Sequence, residues 1–332
     1  MHFRRTAGLA FTALSVAGLL AGLAGPASAI VGGTDAPRPL AGIGSLQYDH
    51  NGYKDWGTCS AHALGDNGHG ETDLIVTAAH CGTVEPTSAE VLRMSPQNQR
   101  AQWAFRSAVE HDGPLPTPAN PASYAGEGLK SVPVDPSTYR FVGGNVNRFQ
   151  GISVGIKRLM IPKDWAWGEP DAEGHIWDIM VAQLQHPIPA RGAMIAPVAP
   201  WRPVIELGWG KETPLPESWH GPLRALLKQT SVPVVPKQDC AGAGIGTSEV
   251  CLGVAPDRGG ACVGDSGGGG VQQYGALSLL VATASRGPEQ HCGTVNVYTE
   301  VWPYLPWIMK QVAQASPDTR VAATQADVGH AS

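Results

Sequence analysis

At 332 residues the chain is long enough to bury a large core and to divide into more than one lobe. Only 15% of its residues are charged, the formal net charge is -5, and Lys and Arg form no long run, which excludes a nucleic-acid binder held by a basic surface. Its Gly 42 and Pro 28 argue against long charged helices and for many short strands joined by turns.

In chain order, Arg4 and Arg5 precede an apolar run over residues 7–23, and Ala27-Ser28-Ala29 supplies the small residues of a cleavage site. This is the pattern of an export signal over residues 1–29. Several glycines in the run and the cleavage site at its end argue against a membrane anchor, and Arg4-Arg5 lacks the rest of a twin-arginine signature. Export predicts that the six cysteines are oxidised. Short loops favour pairing Cys59 with Cys81, Cys240 with Cys251 and Cys262 with Cys292, each closure contributing about 3 kcal/mol in the chain-entropy model. The alternative is a zinc site from Cys59, His62, His80 and Cys81. Exported location and irregular spacing count against it, so neither metal nor cofactor is expected.

After the signal comes Ile30-Val31-Gly32-Gly33, then strand character over residues 43–48. Residues 74–79 run apolar into His80-Cys81, a run short enough to suit a buried strand better than a helix. Prolines 86, 96, 114, 116, 118, 121, 133 and 136 then break regular structure, so residues 82–138 read as a surface insertion with room for a helical turn at 97–108. Strand patterns resume at 139–142, 152–156 and 179–182, and a stretch rich in Pro and Ala at 186–203 marks a crossing between lobes. The second lobe offers Gly208-Trp209-Gly210 and strands at 231–235, 277–284 and 295–301. Residues 304–315 carry apolar side chains at helical spacing. The polar tail, 316–332, is expected to be disordered. The chain therefore reads as all-β, with strand-rich lobes over 30–190 and 191–315 and a terminal helix.

Cys262-Val263-Gly264-Asp265-Ser266-Gly267-Gly268 stands apart in this chain. Flanking glycines let the backbone turn sharply and approach a substrate, while Ser266 supplies a hydroxyl. That hydroxyl needs a base, an orienting acid and donors for an oxyanion. Gly264-x-Ser266-x-Gly268 also fits the nucleophile elbow of α/β-hydrolases, whose order of serine, acid and histidine would leave His291 or His330 as base and Glu289 as acid. For a histidine such as His80, beside an apolar strand, a purely structural role is the competing reading.

Taken in order, Ile30-Val31-Gly32-Gly33, Thr77-Ala78-Ala79-His80-Cys81, Asp178-Ile179 before an apolar run, Gly208-Trp209-Gly210, Gly264-Asp265-Ser266-Gly267-Gly268 and Val297-Tyr298-Thr299 resemble the chymotrypsin/trypsin family of serine endopeptidases over nearly all of residues 30–315. The resemblance implies two antiparallel Greek-key β-barrels. It makes Ser266 the nucleophile, His80 the general base and then acid, and Asp178 the carboxylate that orients the histidine, in preference to Asp164 or Asp171. Ser285 would hydrogen-bond Asp178, and the N–H groups of Gly264 and Ser266 would form the oxyanion hole.

The resemblance also pairs a new Ile30 amine with Asp265 on activation. Because Ala27-Ser28-Ala29 directly precedes Ile30, signal cleavage alone would create that amine; trimming by another protease is the alternative. The family's pocket-floor position falls on Gly260, beside Ala261 and near Val263, so no acid for basic substrates is expected there. Asn296 would narrow the pocket, and Arg286, next to Gly287, stands at the wall of the cleft. Small or medium uncharged side chains are therefore expected before the scissile bond, unless Arg258 or Glu289 reaches the pocket. His80 and Asp178 lie 98 residues apart, so the insertion either lines the cleft or is a tolerated loop.

The expected protein is thus a secreted, extracellular, monomeric endopeptidase acting on proteins or peptides. Protein inhibitors are its possible partners, with neither nucleic acid nor, after signal removal, membrane involved. A binding protein on the same scaffold and an esterase are the rival classes; the presence of all three of His80, Asp178 and Ser266 argues against the first. High Ala, Gly and Pro with low Lys suggest a secreting bacterium.

Overall fold

The computed structural model describes residues 30–50, 53–93, 99, 124–125, 129–215, 223–255, 259–288 and 291–325. The expected signal, nearly all of the helical turn at 97–108, Arg258, Glu289 and the end of the tail lie outside the described residues.

After β1 (Thr34–Asp35), the first lobe is built from β2 (Ile43–His50), β3 (Tyr53–Ala63), β4 (Thr72–Thr77), β5 (Tyr124–Ala125), β6 (Tyr139–Gly143), β7 (Ile152–Met160) and β8 (Met180–Ile188). Their order is β5-β7-β6-β2-β3-β4-β8, and pairing of β7 with β8 closes six of them into a barrel. Leu46, Phe141, Val154, Ile156, Ala182 and Leu184 fill its interior. Side chains alternate across a strand, so Leu74 and Val76 of β4, with Ile179 and Val181, face the other way. There they meet Ile308 and Val312 of the terminal helix, Leu305–Ala315. Both faces of these strands are buried, which is why 74–79 and 179–182 read as continuous apolar runs.

The second lobe contains β9 (Met194–Ile195), β10 (Val204–Gly208), β11 (Lys228–Val232), β12 (Val234–Val235), β13 (Glu249–Leu252), β14 (Gly269–Tyr274), β15 (Leu277–Arg286) and β16 (Asn296–Glu300). The order β1-β11-β10-β14-β15-β16-β13-β12, with β9 against β15, curls into a half-barrel around Val204, Val232, Leu252, Val281 and Tyr298. Among the described residues the fold is all-β apart from short 3-10 turns, the one-turn helix Ser88–Val91 and the terminal helix.

One expectation is revised. Residues 316–325 do not trail away as a disordered tail: Asp66 and Arg320 exchange backbone hydrogen bonds of 2.9 and 2.8 Å, and Ile195 binds Ala322 and Thr324 at 2.9 Å each. Fixed backbone partners, rather than any apolar period, order this segment, so hydropathy gives no sign of it. The described ends of the 82–138 insertion are likewise pinned together, Val84 N–H to Val132 O at 2.7 Å and Val134 N–H to Gly82 O at 3.0 Å.

Candidate active site

β4 delivers His80 on a short 3-10 turn, Ala79–Gly82, and Asp178 sits just before β8, the strand paired with β4. The two side chains meet in the buried interior. Asp178 Oδ1 accepts the His80 N–H at 2.9 Å and Oδ2 accepts its Nδ1–H at 2.8 Å, while Ser285 Oγ donates to Oδ2 at 2.6 Å. Burial alone would raise the Asp178 carboxyl, but the adjoining His80 and these hydrogen bonds hold it below the usual carboxylate range. The competing acids are occupied elsewhere: Asp171 accepts from Trp177 Nε1 at 2.8 Å, and Asp164 lies 3.8 Å from Lys130.

The Ser266 turn is anchored to the same region. Ser266 O accepts from Ser60 N at 2.7 Å, next to Cys59, whose disulfide to Cys81 adjoins His80. Gly267, at φ 69°, fits so closely that a Cβ would lie 2.0 Å from Thr77 Oγ1. Gly264 adopts φ 93°, and neither its N–H nor that of Ser266 has an acceptor among the described residues. Between them, Asp265 is buried, with Oδ1 accepting from Gly210 N and Oδ2 from Cys262 N at 2.8 Å each. A side chain on Gly208 or Gly210 would collide with this carboxylate, at 1.9 and 2.6 Å, which gives both glycines of Gly208-Trp209-Gly210 a physical reason. Ile30 is fully buried, and Val31 exchanges two 3.0 Å hydrogen bonds with Gly260.

Arg286 does not stand at the wall of the cleft. Its guanidinium is buried against Glu249, with NH1–Oε1 at 2.6 Å and NH2–Oε2 at 2.8 Å, and NH1 also donates to Ser285 Oγ at 2.9 Å. A buried carboxylate on β13 draws it inward, because an unpaired charge there would be costly. Gly287, half-buried, follows it, and Val263 is held through its carbonyl to Lys211 N at 2.8 Å. Asn296 is buried, its Nδ2 donating to Thr294 O at 3.1 Å, and a Cβ on Gly260 would lie 3.3 Å from that Nδ2.

Sequence reasoning missed Glu206 on β10. It is fully buried, and its Oε2 accepts from Ala261 N at 2.9 Å. Burial first and Asp265 second push its carboxyl up to about 8. The available signal was a lone charge inside Val204-Ile205-Glu206-Leu207. Ile205 is half-buried while Glu206 is buried, the reverse of their polarity.

The three pairings Cys59–Cys81, Cys240–Cys251 and Cys262–Cys292 all form. Cys59, His80 and Cys81 cluster closely, but the sulfurs are joined to each other at 2.02 Å and so are not thiolate ligands.

Residues 145–308 match the family model Trypsin. The chain is 32% identical over 123 residues to vitamin K-dependent protein C of Oryctolagus cuniculus, covering 35% of this chain and 26% of that protein. It is 33% identical over 110 residues to chymotrypsin-2 of Vespa crabro, covering 32% of this chain and 46% of that one. The match thus spans less than half the length of either relative. Over residues 145–308, just under half of the chain, and in its barrel and half-barrel, the chain is similar to the chymotrypsin/trypsin-like serine proteases.

Proposed function

We propose that the protein is a secreted serine endopeptidase that hydrolyses peptide bonds through an acyl-enzyme. The observation that carries this reading is the pair of hydrogen bonds from His80 to one buried carboxylate, Asp178. With Nδ1–H committed there, Nε2 is left as the base. It takes the hydroxyl proton as Ser266 Oγ bonds to the substrate carbonyl carbon, and the displaced electron pair collects on oxygen beside the N–H groups of Gly264 and Ser266. Collapse breaks the C–N bond, and the amine leaves with the proton from His80. Water then gives His80 a proton, adds to the acyl carbon and releases the acid, while Ser266 Oγ regains its hydrogen. Asp178 stays ionised throughout and stabilises the imidazolium.

Residues 1–29 and the disulfides support export, and among the described residues no helix is long and apolar enough to cross a membrane. Cleavage after Ala29 would free an ammonium at Ile30 for Asp265, whose carboxyl burial pushes up to about 7. The substrates are proteins or peptides, with protein inhibitors of the cleft as expected partners and a monomer as the working form. Selectivity is a separate matter, since Gly260 carries no charge but is not the only group at that end of the pocket.

The test is hydrolysis of matched peptide amides and esters by secreted protein, with N-terminal sequencing. Cleavage of both substrates, lost by at least 10³-fold in Ser266→Ala, and a chain starting at Ile30 are expected. Ester cleavage alone would replace the endopeptidase by an esterase. An active chain that starts upstream would sink the activation step.

A further inference from the structure

Gly260 leaves the pocket floor without a charge of its own. We infer that Glu206, reaching that floor from the neighbouring strand β10, supplies the missing acid and selects lysine or arginine before the scissile bond. The inference rests on the endopeptidase reading above and replaces the preference for uncharged side chains expected from Gly260 and Ala261 alone.

Glu206 is fully buried, yet only half of its carboxylate is satisfied. Oε2 accepts from Ala261 N and would lie 3.8 Å from a Cβ on Gly260. Oε1 is buried without a well-formed hydrogen bond; the Tyr298 hydroxyl, buried likewise, lies beside the carboxylate as a weak donor. Both oxygens therefore sit at the level of Gly260 and Ala261 with acceptor capacity to spare. With no side chain larger than methyl at 260 and 261, Asn296 Nδ2, 3.3 Å from where a Cβ on Gly260 would lie, is the neighbouring group that a substrate side chain would pass.

Charge balance points the same way. Glu206 and Asp265 are both buried carboxylates; burial first, and the neighbouring Asp265 second, raise the cost of ionising Glu206. The Ile30 ammonium can neutralise one of them, and Asp265 with its N–H donors is the one that the resemblance assigns to it. No Lys or Arg is among the groups that shift Glu206. A cationic substrate side chain would bring the second positive charge and give Oε1 its donor. An apolar side chain would seal the carboxylate in with no cation and only the Tyr298 hydroxyl beside it, the penalty by which polar sites reject apolar analogues.

The experiment uses the mature chain beginning at Ile30 and peptide amides that differ only before the scissile bond: Lys, Arg, Ala, Leu and Glu. Wild type is expected to favour Lys and Arg over Ala and Leu by at least tenfold in kcat/KM, and Glu206→Gln to lower that ratio at least tenfold. A wild type that favours Ala or Leu, or a ratio untouched in Glu206→Gln, would overturn the inference. Should the variant not fold, butylguanidinium, a detached arginine side chain, is tested on wild type. Competitive inhibition is expected, and its absence at a concentration well above 10 mM would count against Glu206. The two readings fail separately: cleavage confined to uncharged peptides removes the role of Glu206 alone, whereas no cleavage and no phosphonate label on Ser266 removes the endopeptidase and the inference with it.

Discussion

At Asp178 three donors converge on one buried carboxylate, and the third of them, Ser285, is itself held by Arg286. A guanidinium only donates. Its bond to Ser285 Oγ therefore occupies a lone pair and leaves the hydroxyl hydrogen free for Asp178, so Arg286 and its partner Glu249 fix that hydroxyl against the carboxylate. Removing Glu249 alone should cost about 3–5 kcal/mol of stability, because a charge is left buried and unpaired. The double change Arg286→Met with Glu249→Leu should restore most of that stability while kcat falls about tenfold and KM moves less than twofold. A raised KM with unchanged kcat would instead return Arg286 to the cleft. Asp178 was legible from its place before an apolar strand. The Arg286–Glu249 pair was not, because its members lie on different strands and only folding brings them together.

At the scale of elements, the legible strands were those with apolar runs or clear alternation. β14 escaped notice because Gly269 and Gly270 are poor strand formers. They are needed there: a Cβ on Gly269 would lie 2.3 Å from His62 Nε2, and one on Gly270 3.0 Å from Val204. Gly269→Ala should therefore destabilise the fold by more than 1 kcal/mol, read by denaturant unfolding. β3 escaped for a related reason, since Ser60 and His62 are polar residues facing inward; burial lowers the His62 imidazole to about 4 and keeps it neutral. The segment after the terminal helix holds the first lobe and β9 through backbone bonds. Truncation after Ala315 should lower stability by about 2 kcal/mol or more, at roughly 0.5–1.5 kcal/mol per lost hydrogen bond. An unchanged unfolding curve would show that those bonds contribute nothing.

For the whole molecule, motif order along the chain disclosed the reaction class, while the hydrogen bond between Glu206 of β10 and Ala261 of the Ser266 loop is recorded in no local pattern. The two buried carboxylates, Asp265 and Glu206, add a dependence on pH. Burial raises the Asp265 and Glu206 carboxyls to about 7 and about 8. A carboxyl raised in the folded state contributes stability that is complete below its unfolded pKa, near ~4, and is lost as pH rises through the folded value. A Ser266→Ala chain extended upstream of Ile30 should therefore lose Tm between about pH 5 and 8. The same variant starting at Ile30 should lose less, because its ammonium pairs with Asp265; equal slopes would contradict the pairing. The central claim, that His80 and Asp178 activate Ser266, is tested most directly by mass spectrometry of the mature chain after exposure to a reactive phosphonate. One adduct on Ser266, abolished in His80→Ala, is the predicted result. An adduct on another residue, or one on Ser266 that forms as fast in His80→Ala, would contradict it.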